Sequence, residues 1–197
     1  MNLPTIYLFR HGETVWNVEG RYQGQLDSPL TEKGKKQALD NVQKLKKYIT
    51  LKDRLKFYSS PLGRAKATAE LMVKELKIPL STIIFEDRIQ EFNYGIFEGE
   101  TKTYCKRKFS DEFEARESDK WNYLLEGGES YVMVTKRLKS WLESVQDEKI
   151  IVIVAHEMIN RALRGLYLNL NNKDILKLFQ ANNVLIKLEN GRETILN

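Results

Sequence analysis

The sequence has few of the residues that build disulfides and metal centres. It contains one cysteine, Cys105, and two histidines, His11 and His156, among 197 residues. One cysteine cannot form an internal disulfide, and two histidines are too few for a zinc site of the usual Cys and His composition. We therefore expect no disulfide scaffold, no metal site and no other cofactor.

Glycine, proline and long apolar runs are also scarce. The chain has 11 Gly and 4 Pro, with 42% hydrophobic and 30% charged residues, which excludes collagen-like and low-complexity classes. Its length is that of one compact domain, so we expect a single domain over residues 1–197. The sequence has no apolar run of membrane-spanning length, and Met1–Pro4 does not resemble the start of a signal peptide. These features predict a cytoplasmic protein with no membrane partner.

The positive charge is concentrated in one segment. The formal net charge is +5, but residues 31–56 alone carry +6, and all other residues together carry −1. Within this segment Ala38, Val42, Leu45 and Ile49 recur at helical spacing, with lysines on the opposite side. The simplest interpretation is a solvated helix face, so we expect no nucleic-acid partner.

Short apolar runs alternate with amphipathic stretches, which predicts an α/β domain with a largely parallel sheet. Strands are expected near residues 6–9, 55–59, 83–85, 150–155 and 184–188, the last followed by a hairpin turn at Asn190-Gly191. Helices are expected from about Thr31 into the late forties, from Ser60 as N-cap and Pro61 to about Leu76, from about Glu129, from about Met158, and from Asn172 as N-cap. Residues 100–126 are rich in charged and aromatic residues with weak periodicity, which indicates an insertion.

Both histidines directly follow the most strand-like runs, residues 6–9 and 150–155. Since ligands of open α/β sheets bind outside the carboxyl ends of the strands, the two imidazoles could face one another. Arg10 offers a fork of donors suited to phosphate, and Arg64 lies in the first turn of a predicted helix. A neutral imidazole can attack phosphorus, which needs no metal.

Four blocks of sequence, in this order, resemble the histidine phosphatase superfamily, which includes the cofactor-dependent phosphoglycerate mutases. They are residues 8–38 with Arg10-His11-Gly12-Glu13-Thr14, residues 59–69 with Ser60-Pro61-Leu62-Gly63-Arg64, residues 91–99 with Glu91 and Gly95-Ile96-Phe97-Glu98-Gly99, and residues 127–156 with Gly127-Gly128-Glu129-Ser130 and His156. The resemblance covers most of the chain. It implies a three-layer α/β/α sandwich with a mostly parallel central sheet.

The resemblance also implies roles for individual residues. His11 would accept the phosphoryl group, while Arg10, Arg64 and His156 would surround that group and neutralise its charge. Glu91 would be the proton donor, with Glu98 as the alternative if it is not simply a structural hydrogen-bonding residue. Substrate contacts are expected from Arg10, Asn17, Gln23, Gly24, Arg64 and His156.

Two departures from the family pattern bear on function. Many relatives carry Gly after the second histidine, whereas Glu157 follows here. Its carboxylate could repel a trianionic group in the pocket or turn outward to cap the next helix, and we expect the outward orientation. The chain also lacks the longer insertion and C-terminal tail of the mutases, which favours a phosphatase acting on a small phosphorylated metabolite. Phosphoglycerate mutase-type transfer, alpha-ribazole phosphatase activity and a non-catalytic phosphate-binding module are the alternatives. Residues 100–126 are expected to form the pocket wall, and the protein to be a monomer or a homodimer.

Overall fold

A computed structural model describes residues 3–50 and 55–196. These residues form one six-stranded sheet in the order β3-β2-β4-β1-β5-β6. The strands are β1 (Thr5–Arg10), β2 (Leu55–Ser59), β3 (Ile83–Phe85), β4 (Ile150–Ala155), β5 (Leu185–Glu189) and β6 (Arg192–Leu196). The first four strands along the chain are mutually parallel, and β5 and β6 form an antiparallel hairpin at one edge. The predicted α/β fold with a mostly parallel sheet is therefore confirmed.

Strand β4 has neighbours on both sides and is covered on both faces. Ile151, Ile153 and Ala155 point to one apolar cluster, and Val152 and Val154 point to the other. A continuous β-branched run is typical of a strand buried on both faces, because alternate side chains then enter two separate cores. This strand lies in the sheet that forms the middle layer of a three-layer sandwich.

Eight α-helices supply the outer layers within the described residues. They are α1 (Val15–Glu19), α2 (Glu32–Leu45), α3 (Gly63–Glu75), α4 (Lys102–Lys108), α5 (Ser110–Ser118), α6 (Tyr131–Ser144), α7 (Glu157–Tyr167) and α8 (Asn172–Lys177). Helices α2 and α3 cover one face of the sheet, and α6 and α7 cover the other. None of these described helices combines the length and apolar character that crossing a membrane requires.

Several predicted helix ends were wrong by a few residues. Helix α3 begins at Gly63 with Leu62 as its N-cap, so Ser60 is not the cap and Pro61 is not its first residue. The cap of α8 is Asn171, whose side chain accepts the amide of Asp174. Helices α6 and α7 begin at Tyr131 and Glu157, and α2 ends at Leu45. The hairpin turn at Asn190-Gly191 is confirmed, with both residues at positive φ.

The lysine-rich face of α2 is solvated, as predicted. On α2, Lys33 and Lys36 are exposed and Lys44 is half-buried, whereas Ala38, Val42 and Leu45 are buried. Lys33 pairs with Glu13 at 2.8 Å. Two cations of the same basic segment, Lys52 and Arg54, lie outside the described residues.

The predicted insertion at residues 100–126 folds as helices α4 and α5 and a following turn. Its Cys105, Phe113 and Leu125 are buried in the same core as α6 and α7. The guanidinium of Arg116 lies 5.7 Å from the ring centroid of Phe92 and 5.3 Å from that of Tyr94. The segment is therefore packed into the main core, and within the described residues it supports the chain that follows Glu91.

Candidate active site

The carboxyl ends of three adjacent parallel strands bring the two histidines together. Arg10 at the end of β1 lies opposite Ala155 at the end of β4, and β2 ends beside β4. His11 N donates to Ala155 O at 2.9 Å, which joins the loop after β1 to the end of β4. The ring centroids of His11 and His156 are 5.2 Å apart, and the two residues are 2% and 0% exposed. The sequence-based prediction that the imidazoles face one another is confirmed.

One hydrogen bond determines the tautomer of His11. Its Nδ1 lies 2.8 Å from Gly12 O, and because a carbonyl can only accept, the proton is on Nδ1 and the lone pair is on Nε2. Burial, followed by the positive charges of Arg64 and Arg10, holds the pKa of His11 well below its ordinary value. The imidazole is therefore neutral at pH 7, which is the nucleophilic form.

The loop after β1 is held tightly against α2 and α3. Gly12 N donates to Thr68 Oγ1 at 3.1 Å, and Thr68 in turn donates to Arg64 O. A Cβ atom on Gly12 would lie 2.2 Å from the backbone oxygen of Gly34, so no larger residue fits there without moving α2. This contact fixes the backbone that carries His11.

His156 is oriented by Ser60. Its Nε2 lies 2.8 Å from Ser60 Oγ, which also accepts the amide of Leu62. When Ser60 donates to Nε2, the proton of the imidazole is on Nδ1, and this buried atom has no hydrogen-bond partner in the protein. Burial, followed by the charge of Arg64, lowers the pKa of His156 well below its ordinary value. The lowered pKa favours the neutral imidazole, and in the tautomer that accepts from Ser60 its Nδ1–H is a donor without a protein partner.

Arg10 and Arg64 each leave one buried N–H donor free. Arg64 is 1% exposed, and its Nη atoms donate to Gly24 O at 2.6 Å and Leu26 O at 2.7 Å. Arg10 Nη1 donates to Gln180 O at 3.1 Å. The Nε atoms of both arginines are buried without a protein partner. Such unsatisfied cationic donors are costly unless an anion binds to them.

The two candidate carboxylates differ sharply in their surroundings. Glu91 is 7% exposed and lines the same cavity as His11, and burial raises its pKa above the ordinary value, which favours the protonated form. Its Oε1 accepts the amide of Phe92 at 2.8 Å. Glu98 instead accepts three backbone amides, those of Gln25, Leu26 and Tyr94, and does not line this cavity. Glu98 is therefore the structural residue of the pair.

The cavity beside His11 has a volume of about 150 Å³. Its lining contains most of the predicted site residues, namely Arg10, His11, Asn17, Gln23, Gly24, Arg64 and Glu91. It also contains Arg21, Tyr22, Tyr94, Glu157 and Met158. No residue of 100–126 belongs to this lining, so the prediction that the insertion forms the wall was wrong. The wall is built from the loop after α1, Tyr94 and the start of α7, and the insertion packs behind them.

Asn17 and Gln23 are both engaged with Thr14. Asn17 Oδ1 accepts the amide of Thr14 at 3.1 Å, and Gln23 Oε1 accepts its hydroxyl at 3.0 Å. Any contribution of Asn17 to an anion would therefore come from its Nδ2 group. Both residues order the loop that lines the cavity.

A larger groove, of about 850 Å³, lies on the other side of Arg64 and is lined by α3 and residues 27–30. Its lining contains neither histidine and no part of Glu91. The smaller cavity, where the titratable groups meet, is therefore the candidate active site.

Glu157 does not turn outward as predicted. Its Oε2 lies 3.0 Å from Arg10 Nη1, and its Oε1 accepts from Arg161 Nη2 at 3.1 Å. The residue begins α7, and its side chain lines the cavity instead of capping the helix. Its negative charge acts together with burial to raise the pKa of Glu91. The departure from the family pattern thus lies inside the site.

Three side-chain amides behind the site, two of them buried, were not predicted from the sequence. Gln180 donates to Leu8 O at 2.9 Å, Asn160 donates to Phe9 O at 3.1 Å, and Asn182 donates to His11 O at 2.7 Å. Together they hold the end of β1 against the loop before β5. The one signal in the sequence for these amide contacts was Asn160, a polar residue among the apolar residues on the buried side of α7.

Comparison with known proteins assigns this arrangement to a family. The model of the histidine phosphatase superfamily (branch 1) matches residues 6–196. Phosphoserine phosphatase 1 of Hydrogenobacter thermophilus is 34% identical over 97% of this chain and 90% of its own length. Fructose-2,6-bisphosphatase of Saccharomyces cerevisiae is 28% identical over 93% of this chain, which spans 38% of that longer protein.

A solved structure of mycobacterial glucosyl-3-phosphoglycerate phosphatase superposes with a TM-score of 0.80 at 25% identity, covering 98% of this chain and 97% of its own. The family match, the relatives and the fold agree with the paired histidines and buried arginines at the ends of the parallel strands. The chain belongs to branch 1 of the histidine phosphatase superfamily.

Proposed function

We propose that this protein is a phosphatase that hydrolyses the monoester of a small phosphorylated metabolite through a phosphohistidine on His11. The observation that carries the proposal is the set of three buried N–H donors without a protein partner, Arg10 Nε, Arg64 Nε and His156 Nδ1. The ring of His156 lies 5.2 Å from that of His11, and, in addition to burial, the charges of Arg64 and Arg10 act on His11 strongly enough to lower its pKa. The bond from His11 Nδ1 to Gly12 O leaves the lone pair on Nε2. Donors aimed in advance at a phosphoryl group stabilise the charge that develops on its oxygens.

In the first step His11 Nε2 attacks phosphorus, and the phosphorus–oxygen ester bond breaks with its electron pair going to the leaving oxygen. Protonated Glu91 gives its proton to that oxygen, so the leaving group departs as an alcohol. Burial raises the pKa of Glu91, which keeps the proton in place until this step. Nδ1 of His11 keeps its bond to Gly12 O, which stabilises the positive charge on the phosphorylated ring.

In the second step water replaces the alcohol. Ionised Glu91 takes a proton from the water as its oxygen attacks phosphorus, and the nitrogen–phosphorus bond breaks with its electrons returning to His11 Nε2. Inorganic phosphate leaves, and Glu91 is again protonated. One carboxyl group thus acts first as acid and then as base.

The test is release of phosphate from aryl phosphates and a panel of phosphorylated metabolites, with a rapid alkaline, denaturing quench to trap a phosphoenzyme that is stable to base and labile to acid. We expect both phosphate release and the trapped intermediate. A folded protein that releases no phosphate from any ester would refute the proposal. Interconversion of monophosphoglycerates that depends on a bisphosphoglycerate primer, without net release of phosphate, would instead indicate a mutase.

A further inference from the structure

The carboxylate of Glu157 is fixed in the wall of the active-site cavity by two arginines. Arg10 contacts one of its oxygens at 3.0 Å and Arg161 donates to the other at 3.1 Å. Arg161 is itself held, since its Nε donates to Leu178 O at 2.6 Å and its Nη1 to Tyr131 OH at 3.2 Å. The carboxylate therefore cannot turn away from the cavity without breaking both ion pairs.

The unpartnered cationic donors of the cavity belong to two arginines, and one phosphate group can accept from both. Within the described residues these donors are Arg10 Nε and Arg64 Nε, and His156 lies beside them with its ring centroid 5.2 Å from that of His11. Arg21, the further cation in the lining, donates to Gly99 O at 2.8 Å and pairs with Glu19. The positive charge of Arg21 is therefore already paired with Glu19 at the rim of the cavity.

The remaining cations that could bind a second acidic group lie elsewhere. Lys102, Lys106, Arg107 and Lys108 belong to α4 and are exposed, but none of them lines the cavity. Apart from the arginines, the lining contains two carboxyl groups, and the side chains around them are those of His11, Asn17, Tyr22, Gln23, Tyr94 and Met158. Of the two carboxyl groups, Glu91 is the proposed proton donor, and Glu157 is the one that is held by two arginines. A group attached to the phosphate therefore meets the carboxylate of Glu157 in a mixed polar and aromatic wall.

We propose that Glu157 determines substrate specificity. It selects against phosphate esters whose alcohol portion carries a second negative charge close to the phosphate. It favours esters whose alcohol portion is neutral or positively charged. The inference rests on the proposed phosphatase function and defines the substrate class of the same site. Its physical basis is that two like charges a few ångströms apart, partly shielded from water, repel far more strongly than they do in solution.

The small cavity makes this repulsion unavoidable for short substrates. A volume of about 150 Å³ accommodates a phosphate group and only a few further atoms. A second charge two or three bonds from the ester oxygen therefore lies in or at the mouth of the cavity that Glu157 lines. Arg161 lies outside the lining and pairs with the oxygen of Glu157 that Arg10 does not contact.

The test compares three two-carbon esters that differ in charge: phosphoethanolamine, ethyl phosphate and 2-phosphoglycolate. For the wild-type protein, we expect kcat/KM to be lowest for 2-phosphoglycolate. In Glu157→Gln the ratio of kcat/KM for ethyl phosphate to that for 2-phosphoglycolate should fall about tenfold. Glu157→Asp keeps the charge and should retain most of the discrimination. A matched control is Glu143→Gln, an exposed residue near the end of α6 at the opposite edge of the sheet, which should leave the ratio unchanged.

The ratio of kcat/KM for ethyl phosphate to that for 2-phosphoglycolate distinguishes a role of Glu157 in substrate specificity from a role in positioning Arg10. If Glu157 only orients Arg10, Glu157→Gln lowers kcat/KM for all three esters by the same factor, and the inference is refuted. It is also refuted if the wild-type protein hydrolyses 2-phosphoglycolate as well as phosphoethanolamine, which needs no variant and so does not depend on how Glu157→Gln folds. A folded protein inactive on these esters and on aryl phosphates would instead overturn the phosphatase function, and the inference with it.

Discussion

Removing the carboxylate of Glu98 should loosen two loops of the site at once. Glu98 Oε1 accepts the amides of Gln25 at 2.8 Å and Tyr94 at 2.9 Å, and Oε2 accepts that of Leu26 at 3.3 Å. The loop it holds on one side provides the carbonyl oxygens of Gly24 and Leu26 that bind Arg64. The side chain therefore joins the loop that orients Arg64 to the segment that follows Glu91.

The magnitude follows from those three bonds. Leu26 is exposed, so its amide can bond to water after the change, whereas the amides of Gln25 and Tyr94 lose short bonds to a charged acceptor. At roughly 1.5 kcal/mol for each of the two, Glu98→Ala should reduce the free energy of unfolding by about 3 kcal/mol. For a chain of 197 residues this lowers Tm by about 6–12 °C. Glu98→Gln keeps a neutral acceptor, so its cost should be about 1 kcal/mol.

Thermal unfolding followed by circular dichroism measures these differences. Glu126→Ala is the matched control, because its side chain is exposed on the neighbouring loop and only its backbone oxygen accepts a bond, from the amide of Ile96. In Glu98→Ala, kcat/KM should fall even for esters with good leaving groups, because Arg64 contacts the phosphate of every ester. If Glu98→Ala unfolds at the wild-type temperature, the carboxylate does not hold the two loops, and the reasoning is wrong.

Three further predictions concern the chemistry. His11→Ala should abolish both turnover and the acid-labile phosphoenzyme, and a comparable rate in this variant would exclude His11 as the nucleophile. In the wild-type protein kcat/KM should fall at low pH, where His11 gains a proton despite its lowered pKa, and at high pH, where Glu91 loses a proton despite its raised pKa. Glu91→Gln should lose the fall at high pH. A set of aryl phosphates should show that this variant is least impaired when the leaving phenol is acidic. Inorganic phosphate at about 100 times its Kd should stabilise the protein by about 2.7 kcal/mol in thermal unfolding, and Arg64→Met, which removes a buried unpaired donor, should suppress that shift.

Local pattern was enough to locate most of the secondary structure. The run at residues 150–155 was predicted as a central strand because only a strand covered on both faces tolerates β-branched residues at successive positions, and the structure confirms it. The hairpin at Asn190-Gly191 followed from the two positive-φ positions that such a turn needs. The predicted helix ends were less accurate. At the start of α3, for example, Ser60 is equally suited to capping a helix or to forming a hydrogen bond with a distant side chain.

The sequence by itself determined which groups follow the strands, because the apolar pattern of a strand is set by neighbouring residues and His11 and His156 come directly after two such runs. Only the tertiary structure decided what those groups contact. Ser60 binds His156 across 96 residues of sequence, Glu98 accepts an amide 73 residues away, and Glu157 lies against Arg10 inside the cavity. These contacts depend on the packing of whole elements and on which partner satisfies a buried charge, and no local pattern in the chain encodes that choice.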